Sequence, residues 1–214
     1  MTKKIIKNGF LIACEGIDGS GKSVLAQSLH QALVADGFAA LLTREPGATV
    51  LGKKIRHLLQ YPETPLVPRT QFLLYAADRA DHFEQEIIPA LRYGMLVISD
   101  RMADSSVAYQ GYGCGLAAPI LQQINSWAMQ DVRPQLTVYL AIDYQTAQQR
   151  LAQRQEKPGG FDTARAEFFD KVLAGYRELY ANRSDVLIID AHQSQQACFE
   201  QAYAAVKRVL DSHE

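Results

Sequence analysis

The sequence predicts a three-layer α/β protein, with a five-stranded parallel sheet flanked by helices. Three observations predict it: five short apolar runs, amphipathic stretches between them, and a glycine-rich turn after the first run. Short runs that are apolar on both faces are typical of buried strands in a parallel sheet. The predicted strands are Phe10 to Cys14, Ala39 to Leu42, Met95 to Ser99, Leu136 to Ile142 and Val186 to Ile189.

Stretches with helical spacing separate these strands. In the first, Leu25, Leu29 and Leu33 recur on one face, and Gly37 is a typical stop signal. Alternation of strand and helix predicts right-handed crossovers within one layered sheet. The predicted helices cover Lys22 to Ala35, Pro68 to Tyr93 with an interruption near Pro89, Pro119 to Met129, Tyr144 to Gln153, Ala164 to Tyr180 and Gln195 to Leu210.

Length and composition predict a single domain spanning residues 1–214. Of the 214 residues, 48% are hydrophobic, which is enough to cover one core. A net charge of −1 excludes a general basic field, so we expect no nucleic-acid partner and no membrane partner. The three cysteines lie far apart without a CxxC pair, which favours a reducing cytoplasm over a disulfide framework or structural zinc. The N-terminal apolar run is too short for a signal peptide or a membrane span.

A phosphate-binding turn follows the first predicted strand. Residues 16–23 match the P-loop pattern GxxxxGKS, and the flanking strand and helix make this motif specific. Glycines let main-chain N–H groups approach phosphate oxygens, and the helix N-terminus adds positive potential. Lys22 is expected on the β- and γ-phosphates of ATP, and the Ser23 hydroxyl on Mg²⁺. The predicted phosphate-binding residues are Gly16, Ile17, Asp18, Gly19, Ser20, Gly21, Lys22 and Ser23.

The P-loop alone leaves three classes of protein open: a kinase, a switch GTPase and a motor ATPase. The Asn-Lys-x-Asp tetrad that reads guanine in GTPases is absent, and motor ATPases are usually larger. A small kinase requires a second phosphate site that faces the first.

Polar residues end the predicted strands, where ligands bind in open α/β sheets. Asp100 follows a buried strand, as the metal-binding carboxylate of P-loop enzymes does, so it is a candidate Mg²⁺ ligand. The alternative is an ordinary aspartate that caps a turn. Arg101 is next in the chain, and its guanidinium can hold a phosphate through two parallel hydrogen bonds.

Four short motifs follow the P-loop in order: Thr43-Arg-Glu-Pro-Gly47, Tyr75-Ala-Ala-Asp-Arg79, Asp100-Arg101 and Tyr109-Gln-Gly111. In order and spacing the chain resembles thymidylate kinases, from the P-loop through the final strand. The resemblance implies transfer of the γ-phosphoryl group of Mg²⁺-ATP to dTMP, giving dTDP and ADP. It also implies the P-loop kinase fold, a helical lid at about residues 150–166, and a homodimer whose interface the Pro68 to Tyr93 helix could supply.

The resemblance assigns cations to the acceptor phosphate. Arg101 and Arg56 are its expected ligands, although Lys53 or Lys54 could serve instead of Arg56. Glu45 is expected near the reacting centre.

The resemblance also assigns a base pocket. Tyr75 and Arg79 are four residues apart, so they share one helix face, where a ring can stack on thymine and an arginine can donate to its O4 atom. The alternative is core packing for Tyr75 and a surface ion pair for Arg79. Ser106 and Gln110 are expected at the base edge, with turn or helix-cap hydrogen bonding as the alternative for either. Tyr109 is expected beside the sugar.

The P-loop contains no arginine, so the resemblance moves the catalytic arginine to the lid. Arg150 and Arg154 are the preferred candidates, while the family's lid motif is broken around Arg165. A solvated basic helix face is the alternative for all three. Asp18 is expected near the sugar 3′-hydroxyl or as a bridge to the acceptor side.

Two other functions stay open. One is a P-loop kinase for another pyrimidine nucleoside monophosphate or for a deoxynucleoside. The other is a nucleotide-binding regulator without turnover.

Overall fold

A computed structural model of the protein describes residues 3–153 and 166–211. Within these residues, parallel strands form one five-stranded sheet in the order β2-β3-β1-β4-β5. The strands are β1 (Phe10–Glu15), β2 (Ala40–Arg44), β3 (Leu96–Asp100), β4 (Leu136–Ala141) and β5 (Val186–Asp190). Each predicted strand is therefore confirmed, with small shifts at its ends.

Helices connect the strands and cover both faces of the sheet. They are α1 (Lys22–Ala35), α2 (Val50–Gln60), α3 (Pro68–His82), α4 (Ile88–Arg92), α5 (Ala103–Ser106), α6 (Ala118–Ala128), α7 (Tyr144–Ala152), α8 (Ala166–Tyr180) and α9 (Gln195–Asp211). Local sequence explains the start of two of these helices. Thr49 caps α2 by accepting from the Gly52 N–H, and Asp143 caps α7 by accepting from the Thr146 N–H.

Strand β1 has a separate core on each side. Phe10 and Ile12 belong to the larger core, which includes residues of α1, α8 and α9. Leu11 and Ala13 point the other way, into a core formed with residues 83–91 and Val97. Alternate residues of a strand point to opposite faces, so a run that is apolar at every position is buried on both sides.

The prediction that all five strands are buried on both faces is wrong for β2 and β5. These strands form the two edges of the sheet, and Leu42 and Ile188 are exposed there. Apolar composition alone does not distinguish an edge strand from a central strand.

The predicted interruption of the Pro68 to Tyr93 helix lies just before Pro89. Between α3 and α4, residues Phe83–Ile87 form a π-helical segment, and the Ile88 N–H donates to the Phe83 carbonyl. Because proline has no N–H group to donate, Pro89 occupies the first turn of the following helix, α4.

A second π-helical segment, Val107–Gly113, continues directly from α5. It includes Gly111 and Gly113, whereas Gly115 follows it. A Cβ atom on Gly113 would lie 2.5 Å from the Phe168 ring, and one on Gly175 would lie 2.6 Å from the Tyr112 ring. These glycines therefore serve close packing between the segment and α8.

The strand register aligns the polar strand ends. Asp100 is paired with Cys14 of β1 on one side and with Arg44 of β2 on the other. The candidate site residues at the ends of β1, β2 and β3 thus meet at the carboxyl end of the sheet, next to the turn between β1 and α1. No helix in residues 3–153 or 166–211 combines the length and the apolar character that a membrane span needs.

Candidate active site

The P-loop forms a main-chain cradle at the end of β1. Gly19 and Gly21 both have positive φ angles, 87° and 95°. A Cβ atom on Gly19 would lie 2.4 Å from the Ala147 carbonyl oxygen, whereas one on Gly21 would meet no atom closer than 4.0 Å. Gly21 also caps α1 without a side-chain hydrogen bond, so the first N–H groups of this helix are available to an anion. The cradle therefore fits a polyphosphate.

Ser23 and Asp100 lie together, as predicted for Mg²⁺ ligands. The Ser23 hydroxyl donates to Asp100 Oδ2 at 2.5 Å. The other carboxylate oxygen, Oδ1, is buried and accepts no hydrogen bond from the described residues. A hard oxygen donor of this kind suits Mg²⁺, which prefers carboxylates and hydroxyls. These residues thus fit the metal.

One carboxylate joins the P-loop lysine to the arginine after β3. Asp18 Oδ1 accepts from Lys22 Nζ at 3.1 Å and from Arg101 Nη2 at 2.7 Å. Burial opposes ionisation of Asp18, but Arg101 and Lys22 outweigh it and hold the pKa of this carboxyl well below its usual range. Asp18 therefore stays charged and keeps two cations side by side.

The same cluster affects Lys22. Burial lowers the pKa of this lysine, and the positive charge of Arg101 lowers it further, whereas Asp18 and Asp100 oppose the fall. Negative charge from a phosphate group near these two cations would favour the charged form of Lys22, as Asp18 and Asp100 do.

Arg101 is fixed from several sides. It has a φ angle of 74°, which is uncommon for a residue with a side chain. Its Nη1 atom donates to the Gly16 carbonyl at 3.0 Å and to Ser105 Oγ at 2.9 Å. Its guanidinium lies 5.3 Å from the centroid of the Tyr109 ring. Arg101 therefore lies against the P-loop, and its role as a phosphate ligand stays a prediction.

Arg56 is the half-buried cation of α2. Its Nη1 atom donates to the Pro46 carbonyl at 2.9 Å, and a Cβ atom on Gly47 would lie 2.8 Å from its Cδ atom. Lys53 and Lys54, the alternatives for this role, are exposed. The placement favours Arg56, although its role as a ligand of the acceptor phosphate stays a prediction.

Arg79 is fully buried, so its interpretation as a surface residue is wrong. Its guanidinium pairs with Glu45 Oε2 at 2.8 Å. It also donates to Asn125 Oδ1 at 2.7 Å and to Ser106 Oγ at 3.1 Å. The arginine therefore connects the Arg-Glu-Pro-Gly turn, α5 and α6. Asn125 has no recognisable signal in the sequence, because its role depends on the packing of α6.

Both carboxylate oxygens of Glu45 have a polar partner. Arg79 contacts Oε2, and His82 Nδ1 lies 3.2 Å from Oε1. Burial opposes ionisation of Glu45, but Arg79 and then His82 outweigh it and lower the pKa of the carboxyl. The Glu45 N–H donates to the Asp100 carbonyl at 3.0 Å, so the residue is next to the candidate metal site. A catalytic role for Glu45 stays a prediction.

Tyr75 lies one helical turn before Arg79 on α3. It lines a small cavity closed by the end of α2 and the loop after it. Burial raises the pKa of its hydroxyl, so the ring presents a neutral surface. The other lining residues are Leu59, Gln60, Pro62, Pro65, Leu66 and Gln71. This position fits either a stacking surface or core packing.

Tyr109 and Gln110 are buried in the π-helical segment that follows α5. Tyr109 packs edge-on against Phe168 and Phe169 of α8. The Nε2 atom of Gln110 is buried without a hydrogen-bond partner among the described residues. A buried amide of this kind is costly unless a ligand or a water satisfies it, which fits the predicted contact with a base edge.

Arg150 extends from α7 to the segment after β5. Its Nη2 atom donates to the Ala191 carbonyl at 2.8 Å. Helix α7 also touches the P-loop, because Gly19 lies against Ala147. Arg154 and Arg165 lie outside the described residues, as does most of the predicted lid.

Glu15, a buried carboxylate directly before the P-loop, is a site residue that sequence patterns did not predict. Glu15 accepts hydrogen bonds from the Met102 N–H at 2.8 Å, from Ser105 Oγ at 2.6 Å and from the Tyr176 hydroxyl at 3.0 Å. A charged residue at the end of an apolar strand was the available signal for it.

Known proteins resemble this chain over most of its length. A sequence profile of the thymidylate kinase family matches residues 14–202. Thymidylate kinase of Halothermothrix orenii is 39% identical over 204 residues, which are 94% of this chain and 98% of that protein. Thymidylate kinase of Alkalilimnicola ehrlichii is 40% identical over 213 residues, or 96% and 98% of the two chains.

Among solved structures, thymidylate kinase from Ehrlichia chaffeensis superposes with a TM-score of 0.76 at 28% identity. The match covers 92% of this chain and 98% of that one, so the P-loop kinase fold predicted from the sequence is confirmed. Since the profile and the relatives both span most of the sequence, the chain belongs to the thymidylate kinase family.

Proposed function

We propose that this protein transfers the γ-phosphoryl group of ATP to dTMP, giving ADP and dTDP. The observation that carries the proposal is the Lys22–Asp18–Arg101 cluster, in which a P-loop cation and an acceptor-side cation share one carboxylate. Phosphoryl transfer needs cations around the moving group, because charge spreads over its equatorial oxygens in the transition state. Membership of the thymidylate kinase family supports dTMP as the acceptor.

The donor site would hold Mg²⁺-ATP. The main chain of residues 16–23 would bind the phosphates, and Ser23 and Asp100 would hold the metal. Bound Mg²⁺ supplies positive charge to the phosphate oxygens.

The acceptor needs no general base, because its phosphate is already an anion. Arg101 and Arg56 would orient it, while Tyr75 and Arg79 would contact the base. Support for Arg79 is indirect, since each of its three nitrogens already donates a hydrogen bond, to Glu45, Asn125 and Ser106 respectively. We therefore propose that Arg79 contributes to base binding partly by positioning Ser106.

The lid assignment belongs to the same proposal. We propose one kinase domain whose lid, at about residues 150–166, supplies the arginine that the P-loop lacks. The described part of that lid includes Arg150, at the end of a helix that packs on the P-loop at Ala147. We also place the reaction in the cytoplasm, since Cys14, Cys114 and Cys198 are all free thiols.

We propose a homodimer as well. Helix α3 packs against both α2 and α6, and the outer surface of these helices exposes large apolar side chains. They are Val50, Leu51, Leu58, Leu73, Ile120 and Trp127, of which Trp127 is 80% exposed. Large apolar side chains that are exposed on neighbouring helices support these helices as the contact surface between two copies of the chain. Sedimentation of wild type and Leu73→Asp tests this: a dimer that the variant converts to monomer is expected, and a monomeric wild type would contradict it.

The function is tested by a coupled ADP-release assay with dTMP, dUMP, dCMP, UMP and thymidine as acceptors. The highest kcat/KM is expected with dTMP. A preference for any other acceptor would favour the alternative kinases, and ATP binding without turnover would favour a regulator.

A further inference from the structure

Glu15 lies at the centre of the structure that holds Arg101. It is the last residue of β1, directly before the P-loop, and its side chain is fully buried. We propose that Glu15 is the positioning residue for Arg101: it holds the arginine against the P-loop through Ser105 and through the peptide after Arg101. The inference rests on the proposed function, because it takes Arg101 as a ligand of the acceptor phosphate.

The first link runs through a side chain. Ser105 Oγ donates to Glu15 Oε2 at 2.6 Å and accepts from Arg101 Nη1 at 2.9 Å. A serine hydroxyl has one proton, so its donation to the carboxylate leaves its lone pairs free for the guanidinium. Glu15 therefore sets the direction of the Ser105 hydroxyl and makes it an acceptor for Arg101.

The second link runs through the main chain. The Met102 N–H, which follows Arg101 directly, donates to Glu15 Oε1 at 2.8 Å, and the Ser105 N–H donates to the same atom at 3.3 Å. Arg101 has a positive φ angle, and such a conformation persists only where the surroundings hold it. Glu15 supplies part of that restraint, because it fixes the peptide on the C-terminal side of the strained residue.

The third neighbour of Glu15 provides a control. The Tyr176 hydroxyl, on α8, donates to Glu15 Oε2 at 3.0 Å. The same hydroxyl lies 3.1 Å from Ser105 Oγ. Its removal costs Glu15 one hydrogen bond, but Ser105 still donates to Glu15 and accepts from Arg101, and the Met102 N–H still donates to Glu15. The ring itself stays packed on Tyr139.

Electrostatics give the link a dependence on pH. Burial raises the pKa of Glu15 to about 7, and Asp104 adds to the rise, whereas Arg101 and the bonds from Ser105 and Met102 lower it. The ionised form can accept all the hydrogen bonds that face it, but the protonated form must also place a proton among these donors. Other titratable or charged neighbours are Cys14 on β1, Tyr139 on β4, and Tyr176 and Tyr180 on α8. Burial raises the pKa of each of these four, so none of them becomes charged near neutral pH.

The test compares Glu15→Gln, Ser105→Ala and Tyr176→Phe with wild type. Calorimetry gives the Kd values for dTMP and for Mg²⁺-ADP, and steady-state assays give kcat. Both Glu15→Gln and Ser105→Ala should weaken dTMP binding by about tenfold, since each breaks a hydrogen bond in a charged network. The Kd for Mg²⁺-ADP should change by less than about twofold in both, and Tyr176→Phe should bind dTMP like wild type.

Two further results separate positioning from general structural damage. The Glu15→Gln/Ser105→Ala double variant should lose about as much dTMP affinity as Glu15→Gln alone, because the Ser105 hydroxyl is one of the two links through which Glu15 acts. Between about pH 8 and pH 6, wild-type dTMP affinity should fall more steeply than that of Glu15→Gln, which has no proton to gain at this position. The phosphate of dTMP titrates equally in both proteins, so the difference isolates Glu15.

Any one of three results would overturn the role of Glu15. They are unchanged dTMP affinity in Ser105→Ala, equal losses of dTMP and ADP affinity, and additive effects in the double variant. If Glu15→Gln does not fold, the Ser105→Ala and Tyr176→Phe pair still decides. A wild-type protein that forms no dTDP overturns the proposed function together with this inference. Wild-type turnover with normal dTMP binding by both Glu15→Gln and Ser105→Ala overturns the inference alone.

Discussion

The donor and acceptor sides of the site are built in different ways. On the donor side, one continuous segment, residues 16–23, supplies main-chain groups in a cradle shaped by glycines. On the acceptor side, the groups are side chains from α2, α3 and the segments after β2 and β3, and several of them are buried in ion pairs. A phosphate cradle therefore needs only local geometry, whereas recognition of a second substrate depends on long-range packing.

The largest expected effect tests whether the acceptor side depends on its buried ion pair. Arg79→Ala leaves the Glu45 carboxylate buried and without its main partner. Loss of one partner of a buried pair costs about 3–5 kcal/mol of unfolding free energy. Urea denaturation measures it, and Arg92→Ala, an exposed arginine on α4, is the matched control. A loss below about 1 kcal/mol would mean that packing rather than charge holds this side.

Lys22→Ala tests the donor side. Removing a cation that acts on the transferred phosphoryl group should lower kcat by about 100-fold to 1,000-fold. Affinity for dTMP should change little, because Arg101 keeps its own contacts with Gly16 and Ser105. Steady-state kinetics and dTMP calorimetry measure the two quantities. Lys171→Ala, an exposed lysine on α8, is the control. Equal losses in kcat and in dTMP affinity would show that the two sides are not separable.

Tyr75→Ala tests the proposed contact between the acceptor side and the thymine base. Stacking of a base on an aromatic ring contributes about 1–3 kcal/mol, so the Kd for dTMP should rise by about tenfold or more. The Kd for Mg²⁺-ADP should not change. Tyr93→Ala removes an exposed ring after α4 and serves as the control. Normal dTMP binding by Tyr75→Ala would make this tyrosine a packing residue.

The smallest expected effect concerns a histidine that joins β5 to α7, the helix that packs on the P-loop. His192 bridges Asp143 Oδ2 and Asp190 Oδ1, both at 2.6 Å, and thus connects the end of β5 to the cap of α7. Its hydrogen bonds to the carboxylates of Asp143 and then Asp190 raise the pKa of His192 above its usual value. Its contribution to stability is therefore complete below about pH 6.5 and is lost as the pH rises through the raised pKa.

Thermal unfolding of wild type and His192→Gln over this pH range measures the contribution. The difference in Tm should be present at low pH and should shrink on alkalinisation. His57→Gln, an exposed histidine on α2, is the control. A constant difference across the range would mean that the bridge does not depend on the charge of His192.

Sequence patterns predicted most of what is local. The P-loop, the five strands and the strand-end position of Asp100 all follow from short segments, so the fold and the donor side were predictable. The contacts that the sequence did not predict join residues that are distant in the chain. Glu15 and its partner Tyr176 are 161 positions apart, and Arg79 pairs with Glu45 across 34 positions. Neither pair leaves a periodic signal, because a hydrogen bond between distant segments constrains only two residues.

The exposure of the edge strands is a second kind of failure. β2 and β5 have the same apolar composition as the central strands, and only their place in the sheet order exposes one face. The same holds for Gly113 and Gly175, whose lack of a side chain serves contact between two helical segments.

The most direct test of the whole account is product stoichiometry. Wild-type protein is incubated with ATP, Mg²⁺ and dTMP, and ADP and dTDP are separated and counted by chromatography. Equal amounts of the two products are expected, with neither formed when dTMP or Mg²⁺ is omitted. Formation of ADP without dTDP would contradict a site in which Lys22 and Arg101 serve one transferred phosphoryl group.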